Sequence, residues 1–111
     1  MARYVRLPGR AHTAEVAITV VDSHQGKGLG TLLFGCLAWQ AERTGVDGFV
    51  ALVHVRNRAM RNLLRDLGAT TEEDHGDELQ LFLPLRPDPA GYPDSPAGDA
   101  FRAAYALADR A

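Results

Sequence analysis

Between a run rich in β-branched residues, Thr13-Ala14-Glu15-Val16-Ala17-Ile18-Thr19-Val20-Val21, and an amphipathic stretch from Thr31 to Arg43 lies His24-Gln25-Gly26-Lys27-Gly28-Leu29-Gly30. The first run is apolar almost throughout, as a strand covered on both faces should be. A strand that passes through three glycines directly into a helix presents free backbone N–H groups at a positive helix end, the arrangement that holds phosphate. Glycines at 26, 28 and 30 let an anion approach the main chain without Cβ interference, and Lys27 adds a point charge. The Walker pattern fails, because Gly-Lys is followed by Gly28 instead of Ser or Thr. The dinucleotide fingerprint fails as well, since Gly26-x-Gly28-x-Gly30 lacks its spacing. What remains is Q-x-x-G-x-G, or else a glycine turn that binds nothing.

Upstream, Arg3 to Leu7 is half-alternating and stops at Pro8-Gly9, which reads as a strand and a turn. Downstream, Leu32, Leu33, Cys36, Leu37, Trp39 and Gln40 give a stripe at helical spacing, ended by Gly45. Phe49 to Val55 reads as a further apolar strand. Asn57 is placed to cap a helix whose buried stripe is Met60, Leu63, Leu64 and Leu67, with Gly68 as its stop. A polar turn at His75-Gly76 precedes the alternating run Leu79 to Leu83, a terminal hairpin. Five of the six prolines fall in residues 84–99, so residues 86–99 are expected to be a linker with little fixed structure. Residues 100–111 place Phe101, Ala104, Tyr105 and Ala108 on one face of a short helix that must dock to be stable. The element order is that of an α/β or α+β domain.

A chain of 111 residues has room for one small core, and its 46% hydrophobic and 23% charged residues exclude a disordered chain. The formal net charge of -2 is too weak and of the wrong sign for a generic nucleic-acid binder. The charge is unevenly spread, with a basic surplus before residue 69 and an acidic one after it, so the front half suits an anion. Cys36 is the only cysteine, which excludes an intrachain disulfide and fits a reducing compartment, with the cytoplasm as the default. No apolar run suits a membrane span and the first residues do not form a signal peptide. His12, His24, His54 and His75 match no metal spacing with Cys36.

Ile18-Thr19-Val20, then Gln25-x-x-Gly28-x-Gly30, then Asn57 with Met60, Leu63, Leu64 and Gly68, resemble the acetyl-CoA-binding half of the Gcn5-related N-acetyltransferases. Within that family, the runs from Ala14 to Gly30 and from Asn57 to Ala69 look most like bacterial Pat-type protein-lysine acetyltransferases. The resemblance implies the C-terminal portion of that α/β (α+β) fold, truncated at its N-terminus. It would occupy residues 1–85, with a mixed, mostly antiparallel sheet flanked by two helices and a short C-terminal helix added. It also implies acetyl-CoA as cosubstrate. Main-chain groups of Ile18, Thr19 and Val20 would pair with the pantetheine arm, so the sheet must splay there. Gln25, Gly26, Lys27, Gly28, Leu29, Gly30 and Thr31 would hold the pyrophosphate, and Asn57 and Met60 would border the pantetheine. Arg56, Arg58, Arg61 and Arg65 are either a solvated helix face or contacts for the adenosine 3′-phosphate.

Acyl transfer to an amine needs a base, a polarised carbonyl and a proton for the leaving thiolate. Glu15 is the carboxylate inside the central strand; half-buried, it would serve as the base, and the alternative is an ion pair with Arg3, Arg6 or Arg10. A bulge near Ile18 to Val20 would free an N–H for the carbonyl. The tyrosine that many relatives carry seven residues after the helix-heading Asn is Leu64 here, with His54 as a possible helper. The family's first strand, two helices and next strand have no counterpart in the sequence. The reading therefore expects an N-acyltransferase acting on an amine such as a protein lysine, or a non-catalytic acyl-CoA-binding module. In either case a second copy or a completing partner would cover the exposed sheet.

Overall fold

The computed structural model describes residues 2–18 and 29–110. In chain order these form β1 (Ala2–Leu7), β2 (Arg10–Ile18), α1 (Leu29–Arg43), β3 (Gly48–His54), α2 (Arg58–Asp66), β4 (Thr70–Asp74), β5 (Glu78–Pro84), a 3-10 turn (Pro89–Gly91) and α3 (Pro96–Asp109). The five strands make one sheet in the order β1-β2-β3-β5-β4. Only β2 and β3 run parallel, joined by the crossover through α1; the other three pairings are antiparallel. This is the mixed, mostly antiparallel sheet expected from the sequence.

Alternation along the strands divides the sheet into two unequal faces. Ala14, Val16, Phe49, Ala51, Val53, Leu79, Leu81 and Leu83 point into the core, together with Phe34, Ala38 and Ala41 of α1, Met60 and Leu64 of α2, and Phe101 and Tyr105 of α3. All three helices thus pack on one face of the sheet. The opposite face carries the cross-strand row Val5, Glu15, Val50, Phe82 and Thr70. On it Val5 is 65% and Leu52 46% exposed, while Val50 is covered to 3%. The ring of Phe82 lies over Gly48, where an added Cβ would come within 2.4 Å of it. The Arg10 guanidinium stands 5.9 Å from the Phe82 ring and 3.1 Å from the Glu72 carboxylate.

Two expectations are corrected. The inward side of α1 is Phe34, Gly35, Ala38 and Ala41, whereas Leu33 is 58% exposed. The helix is held between the sheet and α3, and an added Cβ at Gly35 would lie 2.7 Å from the Ala104 Cβ, so small residues are required where two helices meet closely. Residues 86–99 are ordered chain, not a loose linker. Asp88 caps the 3-10 turn, Tyr92 is buried, and α3 begins at Pro96 behind Ser95, whose Oγ accepts from the Gly98 N–H at 3.0 Å. Prolines at the first turns of both elements fix φ where no N–H donor is needed, which is why a proline-rich stretch can be rigid.

Candidate functional site

The parallel ladder between β2 and β3 has only three register pairs, Thr13 with Gly48, Ala14 with Phe49 and Glu15 with Val50. Beyond Glu15 the strands part. Val16, Ala17 and Ile18 keep their partners Tyr4, Arg3 and Ala2 on β1, and Ala51 to His54 keep theirs on β5, but neither segment pairs with the other. A cleft therefore opens in mid-sheet, edged by strand backbone with hydrogen-bonding capacity to spare. The sequence reading expected a splay at Ile18 to Val20; of these Ile18 is described and has no register partner on β3, while Thr19 and Val20 lie outside the described residues.

Both helices that follow these strands begin at the same end of the sheet, the carboxyl ends of the parallel pair, where ligands of α/β sheets collect. Leu29, Gly30 and Thr31 form the first turn of α1, and Gly30 is exposed with open space around it, since an added Cβ would meet nothing within 4 Å. Asn57 heads α2. Its Oδ1 accepts from the Met60 N–H at 3.1 Å, and its own N–H donates to the His54 carbonyl at 2.9 Å, so the cap and the end of β3 are tied together. The Met60 side chain is buried in the core. His54 is exposed and its Nδ1 accepts from the Arg56 N–H at 3.1 Å, so a neutral ring carries its proton on Nε2. Thr19, Val20, Gln25, Gly26, Lys27 and Gly28, and with them most of the expected bulge, lie outside the described residues.

Glu15 occupies the last parallel pair, at the fork of the cleft, beside Val5 on one strand and Val50 on the other. It is exposed, not half-buried as the sequence suggested, because no helix covers that face. Arg10, one of the three arginines weighed as its partner, pairs instead with Glu72 and holds that carboxyl below its usual range. Leu64, at the position where a tyrosine would stand, is fully buried and packs in the core. The sequence reading put the splay at Ile18 to Val20, and the position where the ladder ends, Glu15 with Val50, is one that periodicity does not report. Among the described residues no group of three or more His, Cys, Asp or Glu is placed to hold a metal, and no helix is long and apolar enough to cross a membrane.

A parallel pair whose ladder ends in mid-sheet, each strand followed by a helix that begins at that end, sits here in an α+β domain with a mixed sheet. The chain belongs to the acetyltransferase (GNAT) family, whose model matches residues 1–69. It is 46% identical over 76 residues to the acetyltransferase Pat of Mycolicibacterium smegmatis, a match covering 68% of this chain and 23% of that protein. The structure of a cAMP-binding acyltransferase from Mycobacterium smegmatis is similar with a TM-score of 0.65 and 34% identity, over 96% of this chain and 34% of that one. YncA from Salmonella typhimurium, solved with its cofactor acetyl-CoA, is similar with a TM-score of 0.59 and 31% identity, over 85% and 61% of the two chains. The chain thus spans about a quarter of the length of the Pat relative and a third of the cAMP-binding structure.

Proposed function

We propose that the chain binds acetyl-CoA in the cleft between β2 and β3 and transfers the acetyl group directly to an amine, with a protein lysine as the acceptor class that its likeness to Pat favours. The observation that carries this reading is the end of parallel pairing at Glu15 and Val50, with the first turn of α1 (Leu29, Gly30 and Thr31) following β2 and Asn57 heading α2 after β3. Backbone groups of Ile18, Thr19 and Val20 would pair with the pantetheine arm as with an added strand. N–H groups from Gly26 to Thr31, with Lys27, would hold the pyrophosphate. YncA, solved with acetyl-CoA, supports that ligand.

In this reading Glu15, exposed at the fork, takes the proton of the incoming ammonium through water. The free amine attacks the thioester carbonyl, the carbon–sulfur bond breaks, and the thiolate is protonated from solvent, because the buried Leu64 supplies no hydroxyl. The exposed Val5 and Leu52 beside Glu15 favour a second copy or a completing chain over that face, which would form the acceptor side of the site. The buried Leu64 also favours a second reading, a module that binds acyl-CoA without turnover. Calorimetric titration with acetyl-CoA, with ATP and NAD as controls and Gly28→Asp as a blocked loop, tests the binding step. Selective binding lost in the variant is expected, and equal binding of all three nucleotides would sink the reading. Loss of turnover with intact binding in Glu15→Gln separates the enzyme from the module.

A further inference from the structure

Helix α2 carries arginines at 58, 61 and 65, a spacing that sets three like charges on one stripe of a nine-residue helix. Its first turn holds no acid, and Arg58 occupies the first helical position, against the positive end of the helix dipole. Local preference is thus reversed at this terminus, a sign that something other than helix stability selects the residues. The stripe lines a groove of about 330 Å³ between α2 and the β4–β5 hairpin, floored by Leu79 and Leu81 with Thr71 at its side. Among the described residues no acidic side chain lines it.

Two of the guanidinium groups are held in place. Arg61 Nη1 donates to the Val55 carbonyl at 2.8 Å, and Arg65 Nη2 donates to Asn62 Oδ1 at 2.8 Å. Each uses one of five N–H donors, so most of the donor capacity remains for a ligand. The Arg58 side chain makes no hydrogen bond or ion pair among the described residues, its backbone N–H donating to the Arg56 carbonyl at 2.9 Å. Forked donors on a preset helix suit the several oxygens and double charge of a phosphate. The volume is at the lower end for small-molecule pockets, and the leucine floor suits an apolar or planar body attached to that phosphate. An acidic peptide fits less well, because β4 at the sheet edge bears Glu72, Glu73 and Asp74.

We propose that this arginine groove is a binding site for a small organic phosphate, separate from the acyl-CoA cleft. The separation follows from the fold. The opposite flank of α2 faces α3, where the Ser95 Oγ donates to the Asp66 carbonyl at 2.8 Å and Gly68 lies against Pro93, so the arginines turn toward β4. The cleft lies between β2 and β3, and β5 stands between β3 and the groove's outer strand.

The test uses the purified protein, titrated with AMP, with inorganic phosphate and with adenosine, and followed by calorimetry and by backbone amide shifts. AMP is expected to bind at least tenfold more tightly than adenosine and to move the amides of Arg61, Arg65, Thr71 and Leu81. R61Q/R65Q should weaken it tenfold or more, R61K/R65K should recover part of the loss, and saturating acetyl-CoA should change AMP affinity less than twofold. The exposed single substitution R65Q, checked by circular dichroism, keeps the test valid if the double variant fails to fold. No binding of AMP or phosphate, or binding in R65Q and R61Q/R65Q as tight as in the unsubstituted protein, would overturn the site. Displacement of AMP by acetyl-CoA but not by dephospho-CoA would overturn its separateness and assign the arginines to the 3′-phosphate of CoA.

Discussion

The phenolic oxygens of Tyr92 and Tyr105 lie 2.7 Å apart in the interior and close a ring of three hydrogen bonds through Arg86. The Arg86 N–H donates to Tyr92 Oη at 3.1 Å, Tyr92 donates to Tyr105, and Tyr105 donates back to the Arg86 carbonyl at 3.0 Å. Both backbone groups of the residue that leaves the sheet are thereby satisfied by side chains from the 3-10 turn and α3. Tyr105→Phe strips the carbonyl of its donor at a partly buried site. It should lower unfolding free energy by ~1–3 kcal/mol. Urea denaturation of Tyr105→Phe, Tyr92→Phe and the pair should show the double variant losing less than the sum, as expected of a shared network.

Burial raises the proton affinity of both phenols above the usual tyrosine value of 10.0. In the unfolded chain they ionise near that value, while the fold keeps them neutral. Their contribution to stability is therefore complete below pH ~10 and is lost as pH rises above it. Thermal unfolding measured from pH 8 to 11 should show a steep alkaline loss, flattened in Tyr92→Phe/Tyr105→Phe.

Gly35 and Gly30 lie in the same helix with opposite surroundings. A Cβ at Gly35 would lie 2.7 Å from the Ala104 Cβ and 3.2 Å from the Phe101 Cα, so Gly35→Ala must push α3 away from α1, at ~1–3 kcal/mol. Gly30 has open space, so Gly30→Ala should gain up to ~1 kcal/mol from helix propensity. If the first turn of α1 cradles the pyrophosphate, that methyl obstructs the ligand. Acetyl-CoA affinity should then fall while the melting temperature holds or rises.

Asn57→Ala removes the acceptor of the Met60 N–H and should cost ~1 kcal/mol in helix stability. Because the Asn57 N–H also ties α2 to the end of β3, hydrogen exchange should quicken at Arg58 to Arg61 before the rest of the domain.

In the proposed reaction Glu15 is the base, and Glu15→Gln keeps shape and strand propensity while removing it. Turnover should drop by ~10²–10⁴ with acetyl-CoA affinity unchanged. A drop in affinity of the same size would move Glu15 from the chemistry to the binding of CoA.

Local chemistry made much of this architecture legible in the sequence. β-branched runs marked the central strands, Asn57 marked a helix start that the structure caps as expected, and Met60, Leu64 and Leu67 fall in the core because one apolar stripe of α2 faces inward. Leu79, Leu81 and Leu83 are buried in alternation for the same reason. Helix α1 was misread in detail because it has two neighbours, and contact with α3 exchanges large residues for Gly35 and Ala38. The stretch at 86–99 was misread because proline content does not distinguish a chain fixed by tertiary hydrogen bonds from a free one.

By itself the sequence determined element types, their order, the glycine loop and the family, since each depends on residues adjacent along the chain. Only the tertiary structure decided that all three helices share one face, that Glu15 stands exposed at the fork, that Arg58, Arg61 and Arg65 border a groove with β4, and that Tyr92 and Tyr105 lock the tail to the sheet. Those relations join residues far apart in sequence. They are fixed by which strands pair and by how closely helices can approach, quantities that no local pattern carries.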